Sequence, residues 1–157
     1  GGATKYGITE AVARSNGYKG NMKDLPLDVA KAIYKKQYWT APRFDQVNII
    51  SSAVAEELLD TGVNCGINFA KPLLQRALNL LNNQGKAGYA DLKVDGVYGS
   101  NTLGALKTYL AKRGKEGEKV LVRVLNIMQG QRYIEITEKN PKYEQFFFGW
   151  IANRVSL

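Results

Sequence analysis

Apolar side chains recur every three or four residues along most of the chain, the spacing that gives a helix a single apolar face. One such stripe begins at Val54 and continues through Leu58, Thr61 and Cys65. Alternation of apolar and polar residues, which is typical of strands buried on one side, is almost absent. The pattern therefore predicts a mainly α fold.

Start and stop signals divide this pattern into successive helices. Thr9 has the side chain of an N-cap, Gly17 is a typical stop, and Pro42 ends the second stretch. Asn68 is interpreted as the cap of a fourth helix. The sequence predicts helices over about residues 9–16, 26–41, 51–65, 68–84, 100–114, 118–138 and 141–150.

Residues 85–99 interrupt the helical pattern. The segment is rich in glycine and contains Asp95-Gly96, a dipeptide that is typical of tight turns. We expect a turn at this dipeptide, and at most a short hairpin near residues 88–99.

The chain has no histidine and a single cysteine, Cys65. One cysteine excludes an internal disulfide framework, and the lack of histidine argues against a zinc site. It also excludes Ser-His-Asp and Cys-His mechanisms, so we interpret Cys65 as a small core residue. Acid–base chemistry then has to come from Asp, Glu, Lys or Tyr, with no metal or cofactor implied.

Lysine and arginine number 22 and aspartate and glutamate 14, which gives a formal net charge of +8. This charge fits a polyanion such as nucleic acid or an anionic cell wall, and it equally fits a merely solvated basic surface. The basic residues are scattered, as at Lys35-Lys36 and Lys112-Arg113, so we rank nucleic acid last. No run approaches the roughly 20 apolar residues of a membrane span.

The first nine residues, Gly-Gly-Ala-Thr-Lys-Tyr-Gly-Ile-Thr, describe a tight loop that leads into a helix at Thr9. An ordinary capped loop is a sufficient explanation of them. The segment also resembles the motif Gly-Gly-x-Thr-x-x-Gly-Ile-Thr of the lysozyme-like muramidases of glycoside hydrolase family 108. In that family a glutamate precedes the motif, so the resemblance implies a glutamate before Gly1.

Further segments resemble the same family in the same order, so the resemblance spans nearly the whole chain. They are the helix that ends in Tyr-Trp (32–39), the Asp-x-x-x-Asn-x-Gly helix (58–66), and two segments of the peptidoglycan-binding domain paired with this family (73–78 and 94–103). The resemblance implies a lysozyme-like helical fold. It divides the chain into a muramidase part over residues 1–70, which lacks its N-terminal catalytic segment, and a helical peptidoglycan-binding part over residues 71–157.

The function implied by the resemblance is hydrolysis of the β-1,4 bond between N-acetylmuramic acid and N-acetylglucosamine. The glutamate expected before Gly1 would be the general acid, with its pKa raised by a partly apolar cleft. By similarity to phage-type lysozymes, Thr4 is the candidate for positioning the water, with Tyr6 and Thr9 in the wall of the cleft. Turn geometry for Thr4 and helix capping for Thr9 are alternative explanations.

Asp60 and Asn64 lie four residues apart, so they share one face of the third predicted helix. This face fits a role in binding the sugar, as the floor of the cleft. It also fits a structural role, in which the two side chains hydrogen-bond to backbone groups, and we favour that role.

Two other groups of residues have chemistry that fits an active site. Glu56 and Glu57 point about 100° apart on a helix, so at most one faces any cleft, and we expect both to be solvated. The phenylalanines 146–148 fit a platform for stacking on sugars. We interpret them instead as core and expect at least two to be buried.

The expected partner is the glycan strand of peptidoglycan, and the expected location is the periplasm or cell wall after export, or the wall after release of a phage-encoded protein. An alternative is a non-catalytic wall-binding or secretion-assisting protein that has kept the fold.

Overall fold

The computed structural model describes residues 2–157, and these residues are mainly helical, as predicted. The elements are β1 (Thr4–Lys5), β2 (Ile8–Thr9), α1 (Glu10–Ser15), α2 (Leu27–Lys35), α3 (Phe44–Ile50), α4 (Ser52–Cys65), α5 (Ile67–Leu80), α6 (Ser100–Lys139) and α7 (Glu144–Arg154). Short 3-10 or π turns lie at Met22–Asp24, Lys36–Thr40 and Pro141–Tyr143. No helix within residues 2–157 combines the length and the apolar composition needed to cross a membrane.

The larger apolar core lies between α3, α4, α5 and α6. Phe44, Leu58, Leu74, Leu106 and Leu125 are fully buried in it. Burial of such side chains stabilises a fold by about 1.5–3 kcal/mol each relative to leaving them exposed. Because this core takes buried residues from Phe44 to Leu125, helices that are distant in sequence fold around one interior.

A smaller core lies under the first strands and α1. Its buried residues are Ile8, Ala13, Met22, Leu25, Ala30 and Ile33. Ile8 is the only one of them on a strand, so the short strand pair is anchored to the helices through this side chain.

Helices α4 and α5 are joined by one residue, Gly66, whose φ of 97° lies in the left-handed region. Glycine adopts this conformation without a steric penalty, so α4 ends there and α5 begins at once with Ile67. The prediction of Asn68 as a cap was therefore wrong, because Gly66 makes the reversal in a single residue.

Helix α6 consists of two helical segments that meet at Gly114. Gly114 has a φ of 63° and a ψ of −152°, which interrupts the helix where the sequence predicted a stop. The hydroxyl of Tyr109 donates a hydrogen bond of 2.7 Å to the carbonyl of Gly117 and so links the segments.

The glycine-rich loop over residues 85–99 contains turns and no strand. The buried side chain of Gln75 forms the hydrogen bonds that a partner strand would otherwise supply to this loop. Its amide nitrogen donates to Asp95 Oδ1, Val97 O and Thr102 Oγ1 at 3.0–3.1 Å, and its oxygen accepts from the backbone of Asp95 and Gly96 at 3.0 and 2.8 Å. The only strand pair in residues 2–157 is β1–β2, so the short hairpin lies at residues 4–9 and not at 88–99.

Helix α7 packs mainly against the end of α6. Trp150 stacks on Tyr133 with ring centroids 5.1 Å apart, and the Arg154 guanidinium lies 5.9 Å from the Tyr133 ring. Phe146 and Phe148 are 49% and 84% exposed. The prediction of at least two buried phenylalanines was wrong, because packing against one helix covers only one side of α7.

Replacing Gln75 with Leu should lower the free energy of unfolding by about 2–4 kcal/mol, because the buried N–H groups of the loop would lose their acceptor. Urea denaturation measures this change. Gln131→Leu is the matched control, since Gln131 is exposed and its only hydrogen bond among the described residues joins it to Glu135. A loss of less than about 0.5 kcal/mol for Gln75→Leu would show that its hydrogen bonds do not hold the loop.

Candidate functional site

The hairpin formed by β1 and β2 turns at Tyr6 and Gly7, whose φ angles are 54° and 77°. Two positive φ angles in a two-residue turn match the twist of a tight hairpin. The hydroxyl of Tyr34 on α2 donates a 2.7 Å hydrogen bond to the carbonyl of Tyr6. A Cβ at Gly7 would lie 2.5 Å from that hydroxyl oxygen, so glycine is needed for both conformation and space.

The hairpin brings three of the predicted site residues together. Thr4 pairs directly with Thr9, and Tyr6 lies in the turn between them. Because Ile8 points into the smaller core, the adjacent Thr9 and its partner Thr4 point to the opposite, solvent-exposed face. Thr9 Oγ1 also accepts a 3.2 Å hydrogen bond from the backbone of Val12 and caps α1. Gly1, the first residue of the motif, lies outside the described residues.

The other two predicted site residues, Asp60 and Asn64, lie together on α4. The side-chain amide of Asn64 donates to Asp60 Oδ1 at 3.1 Å. The side-chain amide of Gln129 on α6 lies 3.4 Å from Asp60 Oδ2. The side-chain hydrogen bonds of this pair therefore run to each other and to α6, while those at the hairpin join it to α1, to α2 and, through Lys5 and the carbonyl of Lys23, to the turn at Met22–Asp24.

Gln129 is completely buried at the junction of α4 and α6, and its side-chain amide hydrogen-bonds to several residues. Its nitrogen donates to Thr61 Oγ1 at 2.6 Å and to Glu57 Oε1 at 3.1 Å. Its oxygen accepts a 2.6 Å hydrogen bond from the hydroxyl of Tyr133. One amide thus links two carboxylates of α4 to a tyrosine of α6.

Glu57 is a carboxyl group whose partly buried environment the sequence did not predict. Burial at this junction, assisted by the nearby charge of Asp60, raises the pKa of Glu57 from 4.5 to about 7, and hydrogen bonds from Thr61, Asn126 and Gln129 oppose the rise only in part. The expectation that Glu57 is solvated was wrong, whereas Glu56 is exposed as expected. Since Gln129 lies 72 residues away in sequence, no local pattern indicated this environment.

Cys65 lies at the same junction and is partly buried. Burial raises the pKa of its thiol above the ordinary value, and Tyr133, Arg132 and Arg154 lower it only in part. A thiol that stays protonated is a weak nucleophile, which agrees with the interpretation of Cys65 as a packing residue.

A groove of about 580 Å³ lies between residues 89–97 and the first turns of α6. We call it the loop groove. Its charged residues are Asp91, Lys93 and Asp95, and hydrogen bonds from Val97 and Gln75 lower the pKa of Asp95. Its floor includes Gly99 and Gly104. The groove therefore offers both signs of charge within the volume of a typical small-ligand site.

A second groove, of about 370 Å³, lies beside the hairpin and is almost entirely apolar. It is lined by Tyr34, Lys35, Tyr38, Trp39, Leu59 and Val63. Tyr34 and Tyr38 stack with ring centroids 5.9 Å apart. Among the residues that the structure describes, no cluster of three or more His, Cys, Asp or Glu side chains is suited to hold a metal ion.

Comparison with known families gives two matches that cover different parts of the chain. Residues 1–66 match the family model described as Glycosyl hydrolase 108, and residues 70–155 match the one described as Predicted Peptidoglycan domain. The hairpin and α4 lie in the first match, and the loop groove lies in the second. No curated protein matches the chain.

Glu57→Gln should flatten the dependence of stability on pH. The pKa of Glu57 is about 7 in the folded protein and near 4.5 in the unfolded chain, so the folded state binds the proton more tightly. The contribution of this group to stability is therefore complete below about pH 4.5 and is lost as the pH rises through 7. Urea denaturation at pH 5 and pH 8 should show a smaller loss for Glu57→Gln than for wild type.

The matched control for this measurement is Glu56→Gln, which changes an exposed carboxyl one residue away and should behave as wild type. If Glu57→Gln and wild type lose the same stability between the two pH values, Glu57 does not titrate near neutrality.

Proposed function

We propose that the chain acts as an N-acetylmuramidase, since it belongs through residues 70–155 to the family described as Predicted Peptidoglycan domain and its residues 1–66 match Glycosyl hydrolase 108. Its substrate is peptidoglycan, in which it cleaves the β-1,4 bond between N-acetylmuramic acid and N-acetylglucosamine. The observation that carries the proposal is the hairpin at residues 4–9, which displays Thr4 and Thr9 side by side on an exposed face.

Hydrolysis of a glycosidic bond needs a carboxylic acid to protonate the leaving oxygen and a group that places water or stabilises the positive sugar ring. We assign the acid to a glutamate that the family motif places before Gly1. Thr4 then positions the water, because a hydroxyl both donates and accepts hydrogen bonds. Tyr6 and Thr9 line the same face.

Asp60 and Asn64 are assigned a secondary role in binding the glycan. Asp60 is exposed, although one of its oxygens accepts from Asn64, so its carboxylate remains accessible to a sugar hydroxyl. Their hydrogen bonds to each other and to Gln129 fix the direction of both side chains. This supports a preformed surface on α4.

The peptidoglycan domain and the net charge of +8 both favour attachment to an anionic wall. The proposal therefore places the protein in the periplasm or cell wall after export, or at the wall after release of a phage-encoded protein. The alternative is a wall-binding or secretion-assisting protein that binds in the same way and does not cleave.

The deciding experiment compares residues 1–157 with a polypeptide extended to include the glutamate of the family motif. We expect the extended protein to release muropeptides with N-acetylmuramic acid at the reducing end, measured by mass spectrometry. Its Glu→Gln variant and residues 1–157 alone should release none. Binding without cleavage by the extended protein would support the alternative function.

Cleavage by residues 1–157 alone would contradict the assignment of the acid. In that case Glu57, whose pKa of about 7 leaves it about half protonated at neutral pH, is the first carboxyl to replace, followed by Glu10 and Glu56.

In the extended protein, Thr4→Val should lower turnover by about 10²-fold or more while leaving the melting temperature near that of wild type, since Thr4 is exposed. Thr4→Ser keeps the hydroxyl and should retain most of the activity. If stability and activity fall together in Thr4→Val, the residue builds the hairpin and does not position water.

Binding of residues 1–157 to purified sacculi should weaken strongly between about 50 mM and 500 mM salt, because screening shortens the range of the attraction. Co-sedimentation with the sacculi measures the bound fraction of the protein at each salt concentration. Binding that does not respond to salt would show that contacts with sugar or peptide dominate over the net charge.

A further inference from the structure

Six glycines within residues 2–157 have empty space where a side chain would lie, so that an added Cβ meets no atom within 4 Å. They are Gly17, Gly66, Gly85, Gly99, Gly104 and Gly114. Four of the six have positive φ angles, which explains why they are glycine. The remaining two, Gly99 and Gly104, need glycine neither for backbone conformation nor for packing.

Both of these glycines line the loop groove. Gly104 lies inside α6, where glycine destabilises a helix by about 1 kcal/mol relative to alanine. Side chains at these two positions would take up volume of the groove. The two glycines therefore keep the groove open at a cost to the stability of α6. A ligand that occupies this volume would explain that cost.

The lining of the groove indicates the chemistry of this ligand. Lys93 lies between Asp91 and Asp95 along the loop, and Ser100, Asn101 and Thr108 add uncharged polar groups. One oxygen of each carboxylate accepts hydrogen bonds inside the protein, Asp91 from Asn82 and Asp95 from Gln75 and Val97. The second oxygen of each, and the Lys93 ammonium, are available for a ligand that carries both amines and carboxylates.

Peptidoglycan contains one component with such charges. Its stem peptide carries free carboxylates and the amine of a diamino acid, whereas the sugar rings of the glycan are uncharged. We propose that the loop groove binds the stem peptide of peptidoglycan, with Lys93 paired to a carboxylate and Asp91 and Asp95 facing the amine. This inference rests on the proposed function in one respect, because it assumes that the protein acts on peptidoglycan.

The architecture of the loop makes the groove a preformed site. Gln75 and Asn79 on α5 hold its outer wall, since Asn79 both donates to the carbonyl and accepts from the amide of Leu92, at 2.9 and 2.7 Å. The opposite wall is the first turns of α6. A site held on two helices loses little entropy when the ligand enters.

The test uses residues 1–157 and three probes prepared from one muropeptide. They are the disaccharide-tetrapeptide, the tetrapeptide released from it by an amidase, and the disaccharide left behind. Calorimetric titration should show binding of both peptide-containing probes and at least tenfold weaker binding of the disaccharide. Equal or tighter binding of the disaccharide, or no binding of the tetrapeptide by wild type, would overturn the proposal.

Variants locate the site. Gly104→Leu fills the groove and should weaken tetrapeptide binding at least tenfold without lowering the melting temperature. Gly149→Leu on α7 makes the same change outside the groove, and this control should bind the tetrapeptide as wild type does. Lys93→Gln should weaken binding, and Lys31→Gln on α2 should not. Unchanged affinity in Gly104→Leu and Lys93→Gln would overturn the assignment of the groove.

These measurements record binding and not cleavage. A protein that fails to hydrolyse peptidoglycan can still pass this test, and an active muramidase can fail it. The two proposals are therefore separable.

Discussion

The packing of α4 against α5 and α6 determines where Glu57, Asp60 and the loop groove lie. Leu58 of α4 shares one core with Leu74 of α5 and Leu125 of α6, although these residues belong to two different family matches. The apolar stripe of each helix faces this common core, so side chains of both matches are buried against one another. The hydrolase part and the peptidoglycan part therefore share an interior, and the loop groove is held at a fixed place relative to α4.

The same packing has an electrostatic consequence at Gln129. A side-chain amide has two N–H groups, and here three acceptors on α4 compete for them: Thr61, Glu57 and Asp60. Glu57 and Asp60 thus lie close together on one side of α4, and a second negative charge there is unfavourable. Burial and the neighbouring charge of Asp60 together raise the pKa of Glu57 to about 7, so about half of the molecules carry a proton on it at neutral pH.

The sequence predicted the structural features that depend on neighbouring residues. It missed the features that depend on contacts between residues distant in sequence. The spacing of apolar residues placed α4 and the break at Gly114 correctly, because both are local properties. The segment 88–99 did not form a hairpin, because Gln75 supplies its hydrogen bonds from another helix. The environment of Glu57 and the exposure of Phe148 depend likewise on which helices pack together, which a local pattern does not specify.

A general acid must be protonated near neutral pH and must reach the glycosidic oxygen of the bound glycan, which in our proposal lies at the hairpin. Glu57 meets the first requirement, but its hydrogen bonds run within α4 and to α6, and none among residues 2–157 joins it to the hairpin. Glu10 lies directly after the hairpin, and its carboxylate is held by a 3.1 Å ion pair with Arg14 on the next turn of α1. Neither carboxyl combines a buried environment with a place beside the hairpin, so our proposal keeps the acid on the glutamate of the family motif.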